Sequence, residues 1–324
     1  MNKFIVITLM LLATQGAFAE GPLKKLIKKA DTLLLKRYNV IDYDTTYISR
    51  SPGKIGLKAW GTLSGTSLRA RGNGDKAHLT TDARTTLSLE FDYYDLALEI
   101  STTPRTFTGK NSDFELNFNF YPRRFVLDVN YQKAESGAGY IDYQGRHIDV
   151  ERGWLKSQML HIDFYYTFNY KKFSYDAPFY QFYMQKHSAG SWLAGISYLG
   201  ATIKTTGELP SGYPTAYIKA QHVGVGGGYA YNFVANKHWL LHISLVPSII
   251  VWQNNSVELN GSSVKSNTKF PTIDLSGRAG VVYYFNPRHF IGAYAIGNAL
   301  IKRKSNAEIM EDKWIARIFY GMRI

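Results

Sequence analysis

The chain has 324 residues, with 38 Lys+Arg against 25 Asp+Glu for a formal charge of +13, no cysteine, and 24 Tyr, 18 Phe and 6 Trp within a 45% hydrophobic content. So many apolar and aromatic residues exclude a disordered chain, and the lack of cysteine excludes disulfides, thiol nucleophiles and thiolate metal sites together. Beyond residue 20 no apolar run approaches the roughly 18 residues that a membrane-spanning helix requires, so helical membrane proteins are excluded as well.

The first element is an expected secretory signal at 1–19: a charged start at Lys3, an apolar stretch from Phe4 to Ala13, and small residues at Ala17 and Ala19 flanking Phe18 before Glu20. The next is a basic amphipathic helix in a periplasmic segment at 20–50. Leu23, Leu26, Ile27, Ala30, Leu33 and Leu34 recur at helical spacing, while Lys24, Lys25, Lys28, Lys29 and Lys36 take the other side. Such a helix either packs across the end of the following domain or lies on an anionic membrane surface. Packing is favoured, because the apolar face carries no Trp or Phe anchor.

From about residue 54 the period changes from 3.6 to 2. Phe114, Leu116, Phe118 and Phe120 alternate with polar residues, and so do Phe125, Leu127, Val129 and Tyr131, then Leu160, Ile162, Phe164, Tyr166 and Phe168, and finally Trp314, Ala316, Ile318, Tyr320, Met322 and Ile324. Together with weaker segments, about twelve strands with one apolar face are expected. Their second face is rich in Gly, Ala, Ser and Asn, with scattered charges at Glu90, Glu99, Glu115, Asp128, Asp163, Asp274, Arg278 and Arg317. Small and isolated charged residues suit the crowded interior of a narrow barrel better than a face meeting bulk water. Aromatics at the strand ends (Tyr93, Tyr131, Phe168, Trp192, Trp239, Phe285, Phe290 and Trp314) would form interfacial girdles.

Connection lengths point the same way. Short links such as 121–124, 234–238 and 286–289 alternate with long ones at 71–81, 134–156 and 253–271, as in barrels with short periplasmic turns and longer outer loops. Unpaired backbone is not tolerated in lipid, so such strands must close. The expected fold is all-β: a closed antiparallel transmembrane β-barrel over 51–324, in the outer membrane.

The stretch Phe164 to Ser191, FYYTFNYKKFSYDAPFYQFYMQKHSAGS, resembles the most characteristic segment of the Domain of Unknown Function 4421 family of Gram-negative bacteria. Asp44-Thr45-Thr46-Tyr47-Ile48 and the run from Gly226 to Phe233 continuing to Lys237-His238-Trp239 add to the likeness. The resemblance implies an outer-membrane barrel and brings no assigned chemistry.

One connection that should be short is long. Residues 169–191 hold Phe173, Tyr175, Pro178, Phe179, Tyr183 and Lys186 where a barrel uses a tight turn. An aromatic-rich segment needs cover in water, which favours a periplasmic flap closing the barrel from below against the N-terminal helix. The periplasmic links are also basic (Arg123, Arg124, Lys171, Lys172, Lys186, Lys237 and Arg288), which suits anionic lipid headgroups or acidic cell-wall polymer as well as plain solvation.

Signs of catalysis are thin. His242-Ile243-Ser244 has the His-x-Ser spacing of an outer-membrane phospholipase, but alternation turns both side chains inward, whereas in that family they face lipid. The histidines form no metal-binding spacing, and Gly224 to Gly228 lacks the following helix and Lys-Ser/Thr of a nucleotide loop. No metal, cofactor or nucleic acid is expected. The expected role is a non-enzymatic pore, transporter or structural envelope component, with outer-membrane lipids and a cell-wall polymer or envelope protein on the periplasmic side as partners. The alternatives are a lipid hydrolase using His242 and Ser244 and a surface-binding module acting through the outer loops.

Overall fold

The computed structural model describes residues 40–324 without 73–74, 81–83, 94–95, 103–113, 122, 136–137, 144, 152, 207–214, 260, 266–271 and 303–306. The expected signal peptide and amphipathic helix lie outside these residues. Among the described residues no helix is long and apolar enough to cross a membrane.

The described chain is all-β. Its strands are β1 (Ile48–Arg50), β2 (Ile55–Gly72), β3 (Asp75–Thr80), β4 (Arg84–Tyr93), β5 (Leu96–Thr102), β6 (Phe114–Phe120), β7 (Phe125–Ala134), β8 (Ala138–Tyr143), β9 (Arg146–Val150) and β10 (Leu155–Thr167). They continue with β11 (Tyr183–Gln185), β12 (Ala189–Thr205), β13 (Ala216–Val234), β14 (Trp239–Gln253), β15 (Ser256–Leu259), β16 (Ser262–Lys265), β17 (Thr272–Asn286), β18 (His289–Lys302) and β19 (Ala307–Arg323). β1 and β11 form a two-stranded sheet, and the others share one 17-stranded sheet.

The wall runs through antiparallel pairs of β7 with β10, β10 with β12, β12 with β13, β13 with β14, β14 with β17, β17 with β18, and β18 with β19. β19 then pairs with β2 from Ala307↔Gly72 to Arg323↔Gly56, and β2 with β4. A sheet whose last strand pairs with its first long one is strongly curled, which the right-handed strand twist permits.

Period-2 patterning decides which face is which. Along β14, Leu241, Ile243, Leu245, Ile249 and Val251 are exposed while His242, Ser244, Val246, Ser248 and Ile250 are buried. The whole wall is inverted in this sense. Lys58, Glu90, Asp92, Asp163, Arg278, Arg317 and Arg323 are buried on the concave side, while Leu87, Leu89, Ile100, Phe164, Trp192 and Ile318 face outward. In water an apolar outer face of this extent would aggregate; against acyl chains it is the stable orientation.

Two features differ from the sequence expectation. Phe290, placed in the girdle by its position at a strand end, points inward at 1% exposure and packs against Phe319 and Tyr284. Inside the expected outer loops lie β3, β8, β9, β15 and β16, which continue the wall as paired hairpins, with Lys76↔Asp142 joining β3 to β8. Glycine has a steric role at Gly228, where a Cβ would run into the backbone of Leu245 and Val246, so β13 and β14 approach closely only because that position is bare.

Candidate functional site

The concave side is filled by the chain itself. Residues 169–188, which link β10 to β12, fold inward and bring Phe173, Tyr175, Phe179 and Tyr183 into the core, with Pro178 buried beside them. The expected flap is therefore a plug seated within the curl of the sheet. Its cover from below comes from residues 42–51: β1 pairs with β11, Lys186 N donates to Tyr47 O at 2.7 Å, and Asp44 N donates to Lys171 O at 2.9 Å. Lys186 stays exposed and donates its ammonium to Thr45 O at 2.6 Å. Thr46 holds the Asp44 carboxylate by side-chain and backbone hydrogen bonds, which keeps its pKa below the usual carboxylate value.

Local sequence explains the plug's shape. Asp176 O accepts from the N–H groups of Phe179 and Tyr180 at 3.0 and 2.9 Å, closing a tight turn, and Pro178 sits in it where its missing N–H costs nothing. Gln181 ends the turn in the left-handed region at φ 55°, and the next residues turn back so that Tyr183 N donates to Asp176 Oδ2 at 3.0 Å. Gln185 closes the other side, accepting from Ser174 N at 2.9 Å and donating to Lys172 O at 2.7 Å.

The wall receives the plug through polar and aromatic contacts. Asn232 on β13 donates to Ser174 O at 2.7 Å and to Gln185 Oε1 at 3.1 Å. Its own Oδ1 faces His242 Nδ1 at 2.7 Å, which assigns the imidazole proton to Nδ1 and leaves the buried Nε2 without a hydrogen-bond partner among the described residues. Arg323 on β19 donates to Tyr180 O at 2.8 Å. Phe179 lies 5.0 Å from His242 and 5.2 Å from Tyr294, centroid to centroid, and Tyr180 lies 5.3 Å from Tyr121.

On the outer side of the plug, ion pairs span the interior. Arg278 on β17 pairs with Asp128 on β7 at 2.5 Å and with Asp163 on β10 at 3.8 Å, and Tyr121 donates to Asp128 at 2.5 Å. Arg317 on β19 pairs with Glu99 on β5 at 3.2 Å, and Lys313 bonds Asn130 on β7. The expected interior charges Glu99, Asp128, Asp163, Arg278 and Arg317 thus converge as ion pairs; the side chain of Glu115 lies outside the described residues. Between them remains a cavity of about 60 Å³ lined by Asn119, Asp128, His161, Arg278 and Asn298, room for about two waters.

A second charged cluster surrounds Glu90, and its other members, Lys58, Asp92 and Arg323, were not singled out from the sequence. Lys58 lies between Glu90 and Asp92, 3.3 Å from the latter, and Arg323 reaches Asp92 at 3.0 Å. Its signal was the inward parity of Lys58 on a weakly alternating strand. Asn232 was missed as well, although its parity on β13 places it inside.

His242 and Ser244 both point inward, as alternation required. Phe173, Tyr175 and Phe179 surround the His242 ring, and both His242 and Ser244 are buried, so the plug covers the pair.

A curled antiparallel sheet with an apolar outer face and a charged, occupied interior defines the outer-membrane β-barrel class. A family model described as "Domain of unknown function (DUF4421)" matches residues 42–323, and the chain belongs to that family. No curated protein matches. Among solved structures it is similar to the outer membrane protease OmpT from Escherichia coli, at 10% identity and TM-score 0.44, covering 85% of this chain and 98% of that one. It is also similar to the transport unit of the autotransporter AIDA-I from Escherichia coli (8% identity, TM-score 0.35, 90% and 97% covered) and to the COG4313 outer membrane channel from Pseudomonas putida F1 (8%, 0.29, 85% and 97%).

Proposed function

We propose that the chain is an integral outer-membrane protein, exported through a cleaved signal peptide, whose twelve long strands close through β5 and β6 into a barrel that is shut at rest. The reading is of a non-enzymatic conduit whose passage requires plug movement, rather than an open porin. It is carried by one observation: the 169–188 segment occupies the interior, with Phe173 at 0% and Phe179 at 1% exposure. An unoccupied barrel of this size would leave those aromatic and polar groups facing water. Planar-bilayer recordings of the refolded protein test this. The wild type should be nearly silent, and replacement of 173–185 by a Gly-Ser linker should open a steady ohmic current. A large open-pore current from the wild type would overturn it, and silence from both forms would favour a purely structural envelope role.

A second reading, lipid hydrolysis, has one observation in its favour: the 2.7 Å contact between Asn232 and His242 orients an imidazole two residues from Ser244. Lipid turnover that appears only when the plug is deleted, and disappears with Ser244→Ala, would establish it. Turnover surviving Ser244→Ala would end it.

A further inference from the structure

We propose that the periplasmic corner formed by Arg124, Lys171 and the rings beneath them is a binding site for an anionic phospholipid of the inner leaflet. The proposal rests on the membrane placement of the outer face given above.

The corner is built where β7 and β10 reach their periplasmic ends. Thr167 N donates to Arg124 O at 2.7 Å, which makes Arg124 the last rung between the two strands. On the outer face directly below lies a ladder of rings. Phe125 stacks on Phe164 at 5.4 Å and meets Tyr166 edge-on at 5.5 Å, and Tyr166 meets Phe168 at 5.2 Å. Phe125, Phe164 and Phe168 are all exposed. Such rings sit at headgroup and glycerol depth, with one face toward the acyl chains.

Above the ladder the cations divide in two. Arg123 is already committed, to Asp42 at 2.9 Å and to Tyr170 O at 2.9 Å. Arg124 is exposed, and its guanidinium lies 4.4 Å over the Tyr170 ring. A guanidinium held over a ring keeps its N–H donors for an outside acceptor, and those donors suit bidentate recognition of phosphate. Lys171, next to Tyr170 in the chain, is exposed as well, and among the described residues no carboxylate pairs with either cation.

The same chemistry recurs around the rim. Exposed Lys237 and Arg288 lie on the turns above Trp239, Tyr283 and Phe285, whose rings follow one another at 4.8 and 5.1 Å, with His238 stacked on Tyr283 at 5.8 Å. Cations over exposed rings at separate points favour lipid, which encircles the wall, over a cell-wall polymer, which meets the rim from below and gains nothing from rings on the outer face. Two basic residues at a membrane surface give about a thirtyfold preference for an anionic headgroup.

The experiment reconstitutes the full chain in nanodiscs of phosphatidylcholine with graded phosphatidylglycerol and reads retained lipid by native mass spectrometry, with heat-modifiability confirming that each variant is folded. Phosphatidylglycerol should be retained over phosphatidylcholine, the preference should fall about thirtyfold in Arg124→Gln/Lys171→Gln, and the exposed Lys204→Gln on β12 should keep it. Arg124→Lys should keep the charge-based share while losing the bidentate part. Equal retention by the wild type and the double variant overturns the proposal, as does loss of soluble muropeptide binding in the double variant without any headgroup preference. A protein that associates with no lipid at all refutes the membrane placement instead.

Discussion

Phe179→Ala tests how tightly the plug is seated. The Phe179 ring meets Tyr294 at 5.2 Å, His242 at 5.0 Å and Tyr175 at 5.5 Å. Truncating a fully buried Phe to Ala costs about 3–5 kcal/mol. At about 1.4 kcal/mol per decade, that shifts the ratio of seated to unseated plug by roughly two to three and a half decades. The loss falls on seating because the strand ladders of the wall do not involve residue 179. Single-channel recordings should show openings in the variant that are absent or very rare in the wild type. Phe285→Ala removes the same side chain from the outer face and should leave gating unchanged. A folded Phe179→Ala protein with the wild-type open fraction would refute the account of the plug as the closing element.

Three further outcomes are expected. Lys58→Met leaves Glu90 and Asp92 buried beside one another with one cation fewer, a loss of about 3–5 kcal/mol, whereas Lys58→Met combined with Glu90→Leu should recover much of it; the temperature of the heat-modifiability transition reports both. On the outer β8–β9 hairpin, the hydrogen bond that His147 donates to the Asp142 carboxylate chiefly holds His147 above its ordinary 6.5, so this contact contributes below about pH 6.5 and fades as pH rises through the raised value. An NMR titration should show a lower His147 midpoint in Asp142→Asn; an unchanged midpoint would remove Asp142 as the cause. Gly228→Val places a side chain against the backbone of β14 and should prevent recovery of the folded, fast-migrating form, while Gly145→Ala, in an open hairpin tip, should cost little beyond its backbone strain.

The parts of this fold that sequence reveals are those with a local cause. Strand parity placed Leu241 and Ile243 outside and His242 and Ser244 inside because side-chain direction alternates along a single strand. The same logic brought Asp128, Asp163 and Arg278 to one interior but did not reveal the ion pairs of Arg278, since β17 meets the neighbouring strands β7 and β10 only across the curl. Phe290 defeated it because a ring at a strand end serves an interfacial girdle or an interior filled with other rings equally well, and that interior exists only when the 169–188 segment is inside. The segment itself was conspicuous for its aromatics. Its seat was not legible, because Asn232, Arg323 and Tyr294 lie on strands far from it in the chain. Strands β8, β9, β15 and β16 run for 4–6 residues, too short for a period to register.

The central claim is that the apolar face meets lipid and the charged face does not. Single-tryptophan variants, with the other tryptophans replaced by Phe, reconstituted in brominated phospholipids, test it directly. Trp192, Trp239 and Trp314 are 65%, 42% and 43% exposed on the outer face and should be strongly quenched, while Trp60, at 2% exposure beside Tyr180 and Tyr294, should not be. Quenching of Trp60 by brominated lipid, or quenching of the other three by aqueous iodide alone, would contradict the account.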